Sequence, residues 1–163
     1  MNELLKFLGM GLIILSAIAF FREYKSYLEY RCGICQGFLS LISHIRRQIE
    51  CYLTPADRLL CDFGDDFLKK CGYLERAGSI GVREAYFEME DRLRLPSEAR
   101  EILRGLFSNF GKDYREGTLR ELDSGVASFE KCLAKERLES EKELKIAGIL
   151  AVCAALGIVI LII

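Results

Sequence analysis

Residues 146–163 read IAGILAVCAALGIVILII, and the rest of the chain is interpreted outward from this run. It holds no charged residue and no proline. As a helix, about 18 residues rise roughly 27 Å, close to the hydrocarbon thickness of a bilayer. A second run, LLKFLGMGLIILSAIAFF at 4–21, opens the chain and carries only Lys6 as a charge. The pattern predicts a transmembrane helix at each end, 1–21 and 146–163, with a polar middle segment, 22–145, held between them. A secretory signal with cleavage near Ala17-Ile18-Ala19 is the competing reading of the first run. Charge opposes it. Arg22, Lys25 and Arg31 follow the first run, and Lys131, Lys135, Arg137, Lys142 and Lys145 precede the second. The positive-inside rule then puts the middle in the cytoplasm and both termini on the far side of the cell membrane.

The middle segment is large enough for one modest core. A net charge of −1 gives no general attraction to nucleic acid. Seven cysteines without a disulfide-like framework point to a reducing compartment. A single histidine, His44, weighs against metal or acid–base chemistry.

Helical periodicity runs through the middle. Tyr24, Leu28, Cys35, Phe38, Ile42, Ile45, Ile49 and Tyr52 recur every three or four residues, interrupted by Arg31. No proline lies between Phe21 and Tyr52, so this stripe and the first span read as one continuous rod. Thr54-Pro55 forms a corner, with Thr54 as cap, Pro55 in the first turn and Asp57 closing a capping box. The next stripe passes from Ala56 to Leu74, and Gly64-Asp65-Asp66 is a place where it splits in two. Gly78 reads as a helix end. A stripe from Val82 to Leu93 follows. Then Leu95-Pro96-Ser97 breaks the pattern, with Ser97 as a cap, and a stripe from Ala99 to Phe110 ends at Gly111. Asp113 caps the last helix. In that helix Leu119, Leu122, Val126, Phe129 and Leu133 are in phase before the charged stretch KERLESEKELK at 135–145. Pairs such as Lys135 with Glu139 and Glu141 with Lys145 suit a solvated stalk about 16 Å long. No stretch alternates with period two. The predicted fold is all-α: an antiparallel bundle of about five or six helices flanked by the two spans.

Candidate chemistry is sparse. Cys32-Gly33-Ile34-Cys35 has the C-x-x-C spacing of thiol exchange, but it lies inside a helical stripe with no βαβ pattern near it. A membrane-anchored thiol redox or metal-binding protein using Cys32 and Cys35 is the alternative reading. Cys32, Cys35, His44 and Cys51 span about five helical turns, too far to reach one zinc ion. Glu84, Glu88, Asp91, Glu98 and Glu101 read as helix surface, and Arg46-Arg47 as a solvated or acid-paired face. No catalytic, cofactor-binding or metal residue is assigned, and the chain is read as non-enzymatic. In the second run Ala147, Ala151 and Ala155 recur every four residues, an interval that lets helices approach closely in lipid.

The stretch IECYLTPADRLL, the later GVREAYFEM, and ILRGLFSNFGKDYREGTLREL before an apolar tail resemble the stage III sporulation protein AB family. The resemblance covers essentially the whole chain, and its motifs are structural. Ala56 departs from the bulky apolar residue usual in the family, and the cysteines are unusually many. The family is itself similar to the cytoplasmic helical domain of type II secretion platform proteins. The resemblance implies a platform or assembly subunit of the channel complex between mother cell and forespore. Its implied partners are the other stage III sporulation A-operon proteins, in particular the secretion-type ATPase stage III sporulation protein AA, with self-association.

Overall fold

The computed structural model describes residues 2–52, 60, 62–110 and 115–162. Six α-helices and no strand occur among them. The chain therefore is all-α, as its periodicity predicts. The described structure divides into two compact units, Met1–Glu29 with Arg137–Ile163, and Tyr30–Glu136.

Helix α1 runs from Asn2 to Arg47, a single helix of 46 residues, as expected where no proline interrupts the pattern. His44, Arg46 and Arg47 in its last turn complement the negative end of the helix dipole. It passes into a π-helical turn, Gln48–Tyr52. The Thr54-Pro55 corner and Asp57 lie outside the described residues. Asp62 takes a positive φ of 64°, and the helix α2 spans only Asp66–Lys70. Its cap is Asp65, whose carboxylate accepts from the Phe67 and Leu68 amides at 3.0 and 2.9 Å. A helix therefore begins at the Gly64-Asp65-Asp66 site, while most of the stripe before it, from Ala56, lies outside the described residues.

Helix α3 is Tyr73–Ile80 and α4 is Val82–Met89. Gly78 does not end a helix: it lies inside α3, with nothing within 4 Å of where a Cβ would sit. The break comes at Gly81, with φ 98° and ψ 156°, a backbone region that only glycine adopts without strain. Helix α5 is Ser97–Asn109. Ser97 begins this helix rather than capping it, since Pro96 holds the cap position and no side chain bonds there. Gly111 and Asp113 lie outside the described residues. Helix α6 runs from Arg115 to Ile162.

The unit Tyr30–Glu136 has an aromatic core. The Phe38 ring meets Tyr73 edge-on at 4.9 Å and Tyr86 at 6.0 Å, and Tyr86 meets Phe107 at 4.9 Å. The two tyrosine hydroxyls are satisfied: Tyr73 donates to the Val82 carbonyl at 2.8 Å and Tyr86 to the Arg100 carbonyl at 3.0 Å. The α1 stripe expected from periodicity supplies Cys35, Phe38, Ile42 and Ile45, all buried, and Ile34 and Leu41, outside that stripe, are buried as well. From α6, Leu122, Phe129 and Leu133 are buried with them. A Cβ on Gly37 would lie 2.6 Å from Asp65 Oδ1 and 2.8 Å from Leu68 Cγ, so α2 packs on α1 only because that residue is glycine.

In the other unit the two long helices pair through their first and last parts. Tyr24 donates to Glu143 at 3.0 Å, and the Phe21 ring lies 3.3 Å from where a Gly148 Cβ would sit. Large apolar side chains face outward here, Leu12, Leu15, Phe20, Ile149 and Leu150 among them. Among the described residues, no helix is long and apolar enough to cross a membrane. Side chains are described for 8–21 of the first run and for 146–158 and Ile160 of the second, so the outer end of each run lies beyond them. The transmembrane helices expected at 1–21 and 146–163 are therefore not shown by the described structure.

Candidate functional site

The most chemically loaded place in the Tyr30–Glu136 unit lies where α1 faces α6. Arg31, the residue that interrupts the apolar stripe, meets Glu136. The Arg31 Nε donates to Glu136 Oε1 at 2.7 Å, and a second guanidinium nitrogen reaches the same oxygen. Glu136 is only 5% exposed. A buried carboxylate is costly unless paired, and here the pairing is charge-assisted. Periodicity had assigned Glu136 to a solvated stalk, and Lys135 to a pair with Glu139. Glu136 is instead buried, while Lys135 reaches across to bond Glu98 of α5 at 2.7 Å, a contact within the helical unit that the local pairing did not foresee. Only a facing arginine, 105 positions away in the chain, makes the burial tolerable.

Around this pair lie Cys32, Cys35 and Cys132. Cys35 and Cys132 are buried and Cys32 is half-buried. Burial pushes the Cys35 thiol up from 9.0 to about 12, and the nearby Glu136, Cys132 and Cys32 add to the effect. Arg31 opposes it more weakly. A thiol so raised is protonated at neutral pH and is a poor nucleophile and metal ligand. Burial also raises Cys71, whose Sγ donates to the Leu68 carbonyl at 3.3 Å. Gly33, between the two cysteines of the C-x-x-C motif, has a packing reason of its own: a Cβ there would lie 2.4 Å from the Phe67 ring.

His44 is half-buried, with its ring 5.2 Å from Phe63 and its Nε2 3.5 Å from Gln48 Nε2. Cys51 is exposed. Among the described residues no three histidine, cysteine or acidic side chains are placed to hold a metal ion. Arg46 is acid-paired, bridging Glu50 at 2.7 Å and Asp123. Of the acids read as surface, Glu88 bonds Arg76 at 2.7 Å and Asp91 lies 3.6 Å from Arg100. Glu90, which sequence reasoning missed, is buried and held by Arg104 at 2.9 Å. Its only signal was position: it follows Met89 on the buried side of α4, next to the Leu93 turn.

Two further surfaces have shape. In the terminal unit, two grooves of about 540 and 590 Å³ flank the α1–α6 seam, and Ala17, Ala151 and Ala155 line both. Two of the three alanines expected to pack closely are therefore at the seam, and Ala147 lines one groove. Gly148 makes the close approach to Phe21, whereas Gly157 has open space. In the other unit, a groove of about 320 Å³ runs between α5 and α6 over Ile102 and Leu106.

The family model described as stage III sporulation protein AB matches residues 6–163. No curated protein and no solved structure matches the chain. The match takes in both apolar runs, the helical middle and the charged stretch between α5 and the tail. The chain belongs to the stage III sporulation protein AB family, and with it to the proteins of sporulation.

Proposed function

We propose that the chain is a non-enzymatic platform and assembly subunit of the secretion-like channel complex between mother cell and forespore. In this reading residues 1–21 and 146–163 cross the cell membrane, the segment 22–145 stands in the mother-cell cytoplasm, and the termini lie on the far side. The helical unit offers its surface to the other stage III sporulation A-operon proteins, in particular the secretion-type ATPase stage III sporulation protein AA, and to further copies of itself.

The observation that carries the reading is the family match over 6–163, which spans both runs together with the middle. The outward-facing apolar side chains of the terminal unit add to it, because a surface of that kind is stable only when something apolar covers it. The concentration of lysine and arginine between the runs supports the orientation. The residues with raised thiols serve packing in this account, and no step of chemistry is assigned to them.

The test is deletion in a sporulating host, followed by co-purification of the detergent-solubilised protein with its neighbours. Loss of spores, with recovery of the ATPase alongside the protein, is the expected result. Normal spores in the deletion strain overturn the proposal. A thiol reagent confined to the outside of intact cells tests the orientation through exposed Cys51, which should stay unmodified.

A further inference from the structure

The end of the Tyr30–Glu136 unit at which α1 enters it carries an aromatic pair with two cations beside it. Tyr30, the first residue of that unit, sets its ring 6.4 Å from the ring of Phe67 on α2, tilted at 60°. Both side chains are half-buried, so the pair packs on the core and still reaches the surface. The Lys70 ammonium stands 5.9 Å from the centre of the Phe67 ring. Arg94 is near enough to Tyr30 for its positive charge to act on the phenol.

Packing accounts for the rings and leaves the cations over. Lys69 and Lys70 are exposed in the last turn of α2, whereas Asp65 and Asp66 lie at its start, with Asp65 engaged as the cap. Arg94 is exposed at a positive φ of 52°, between the buried Leu93 and Leu95. A left-handed turn between two core leucines is met with less strain by glycine. What the arginine adds is an exposed charge close to Tyr30.

Distance sets what this end can meet. Along the single helix α1, Tyr30 follows Phe21, the last residue of the first apolar run, by nine positions, a rise of about 14 Å. Headgroups extend about 5–7 Å outside the hydrocarbon, and the field of an anionic leaflet reaches a further Debye length of about 8 Å.

We propose that this end of the helical unit recognises an anionic lipid surface, with Lys70 and Arg94 meeting headgroup phosphates and the Tyr30–Phe67 pair lying at headgroup level. The inference rests on the two-span reading, in which residues 1–21 cross the membrane. Cations are drawn by the charge of the leaflet, and a ring with one polar end, such as tyrosine, suits the interface. Such a contact would also decide which faces of the helical unit are left open to protein partners.

The test uses the full chain reconstituted in nanodiscs of phosphatidylcholine, alone or mixed with phosphatidylglycerol. Hydrogen exchange is read at the α2 amides and in the turn 90–96. Exchange there should slow about fivefold or more when phosphatidylglycerol is present, since one basic side chain near an anionic surface is worth about that factor. High salt should remove the slowing. Lys70→Gln with Arg94→Gln should abolish it, and the charge-preserving Lys70→Arg with Arg94→Lys should keep it. Arg47→Gln with Arg120→Gln, which removes the same charge from exposed sites at the far end of the unit along α1 and α6, should also keep it. Inorganic phosphate added to phosphatidylcholine discs should not reproduce the slowing. The inference is overturned if the two lipids give equal exchange, if the glutamine variant responds like the parent, or if free phosphate has the same effect. A chain that does not enter the nanodiscs at all overturns the two-span reading, and this inference with it.

Discussion

The unit Tyr30–Glu136 and the unit of Met1–Glu29 with Arg137–Ile163 share the two long helices, yet they place their large apolar side chains differently. In the first, Phe38, Tyr73, Tyr86, Phe107 and Phe129 are withdrawn from solvent, and most charges lie outside. In the second, Leu15 is 64% exposed and Ile149 likewise 64%, while polar contacts such as Tyr24 with Glu143 are made between the helices. The first unit is stabilised by removing apolar surface from water. The second gains less from that source, through a narrow seam at Phe21 and Gly148, until its exterior is covered. Stability against unfolding should therefore be concentrated in one unit, and side chains of equal size should matter very differently in the two.

The largest effect tests this directly. Phe38→Ala should destabilise the chain by about 3–5 kcal/mol in denaturant titrations, through lost burial and the cavity left beside the Tyr73 and Tyr86 rings. Leu15→Ala, in the exposed face, should change it by less than ~0.5 kcal/mol. Equal losses would break the contrast.

Glu136→Ala should cost about 3 kcal/mol, because it leaves the Arg31 guanidinium without its carboxylate. Arg31→Met combined with Glu136→Leu should recover most of that loss, since an apolar pair removes the desolvation penalty. Failure of the double variant to recover would mean that the ion pair contributes net stability, and would sharpen what the interruption of the stripe is for.

Alkaline pH probes the same neighbourhood. Between pH 9.0 and about 12 an unfolded Cys35 would ionise while the folded thiol keeps its proton. The folded state then binds more protons, so its stability is complete below pH 9.0 and falls as the pH rises. The buried phenols of Tyr73 and Tyr86, also raised, act in the same direction. Urea midpoints measured across this window should decline, and Cys35→Ala should decline less. A flat profile would contradict the burial of these groups.

Glycine replacements give a smaller and signed comparison. Gly37→Ala should destabilise by about 1–3 kcal/mol, since its Cβ would collide with Asp65 and Leu68. Gly78→Ala, with open space in the interior of α3, should stabilise by about 0.5–1 kcal/mol. The smallest change is expected from Arg76→Ala, which removes a half-exposed pair with Glu88 and should cost no more than about 1 kcal/mol.

Much of the helical layout was legible because burial on a helix imposes a period that the chain must show. Phe38, Ile42, Ile45, Leu122, Phe129 and Leu133 were placed in the core by spacing alone, and the uninterrupted α1 followed from the absence of proline. The helix end assigned to Gly78 failed because a glycine signals only that a left-handed turn is allowed. Whether it is used depends on where the chain must go next, and the turn was made at Gly81. The candidate site was less legible still. The groove between α5 and α6 needs two helices brought side by side before its walls exist.

Residue order alone settled the helical class, the two apolar runs and the family, since each is written in local pattern and composition. The tertiary structure decided the pairing of Arg31 with Glu136, the burial of Glu90 and the burial that pushes the Cys35 thiol up. Those facts depend on groups far apart in the chain meeting in a low-dielectric interior. No local pattern encodes the free energy of a charge or thiol once water has been removed from around it.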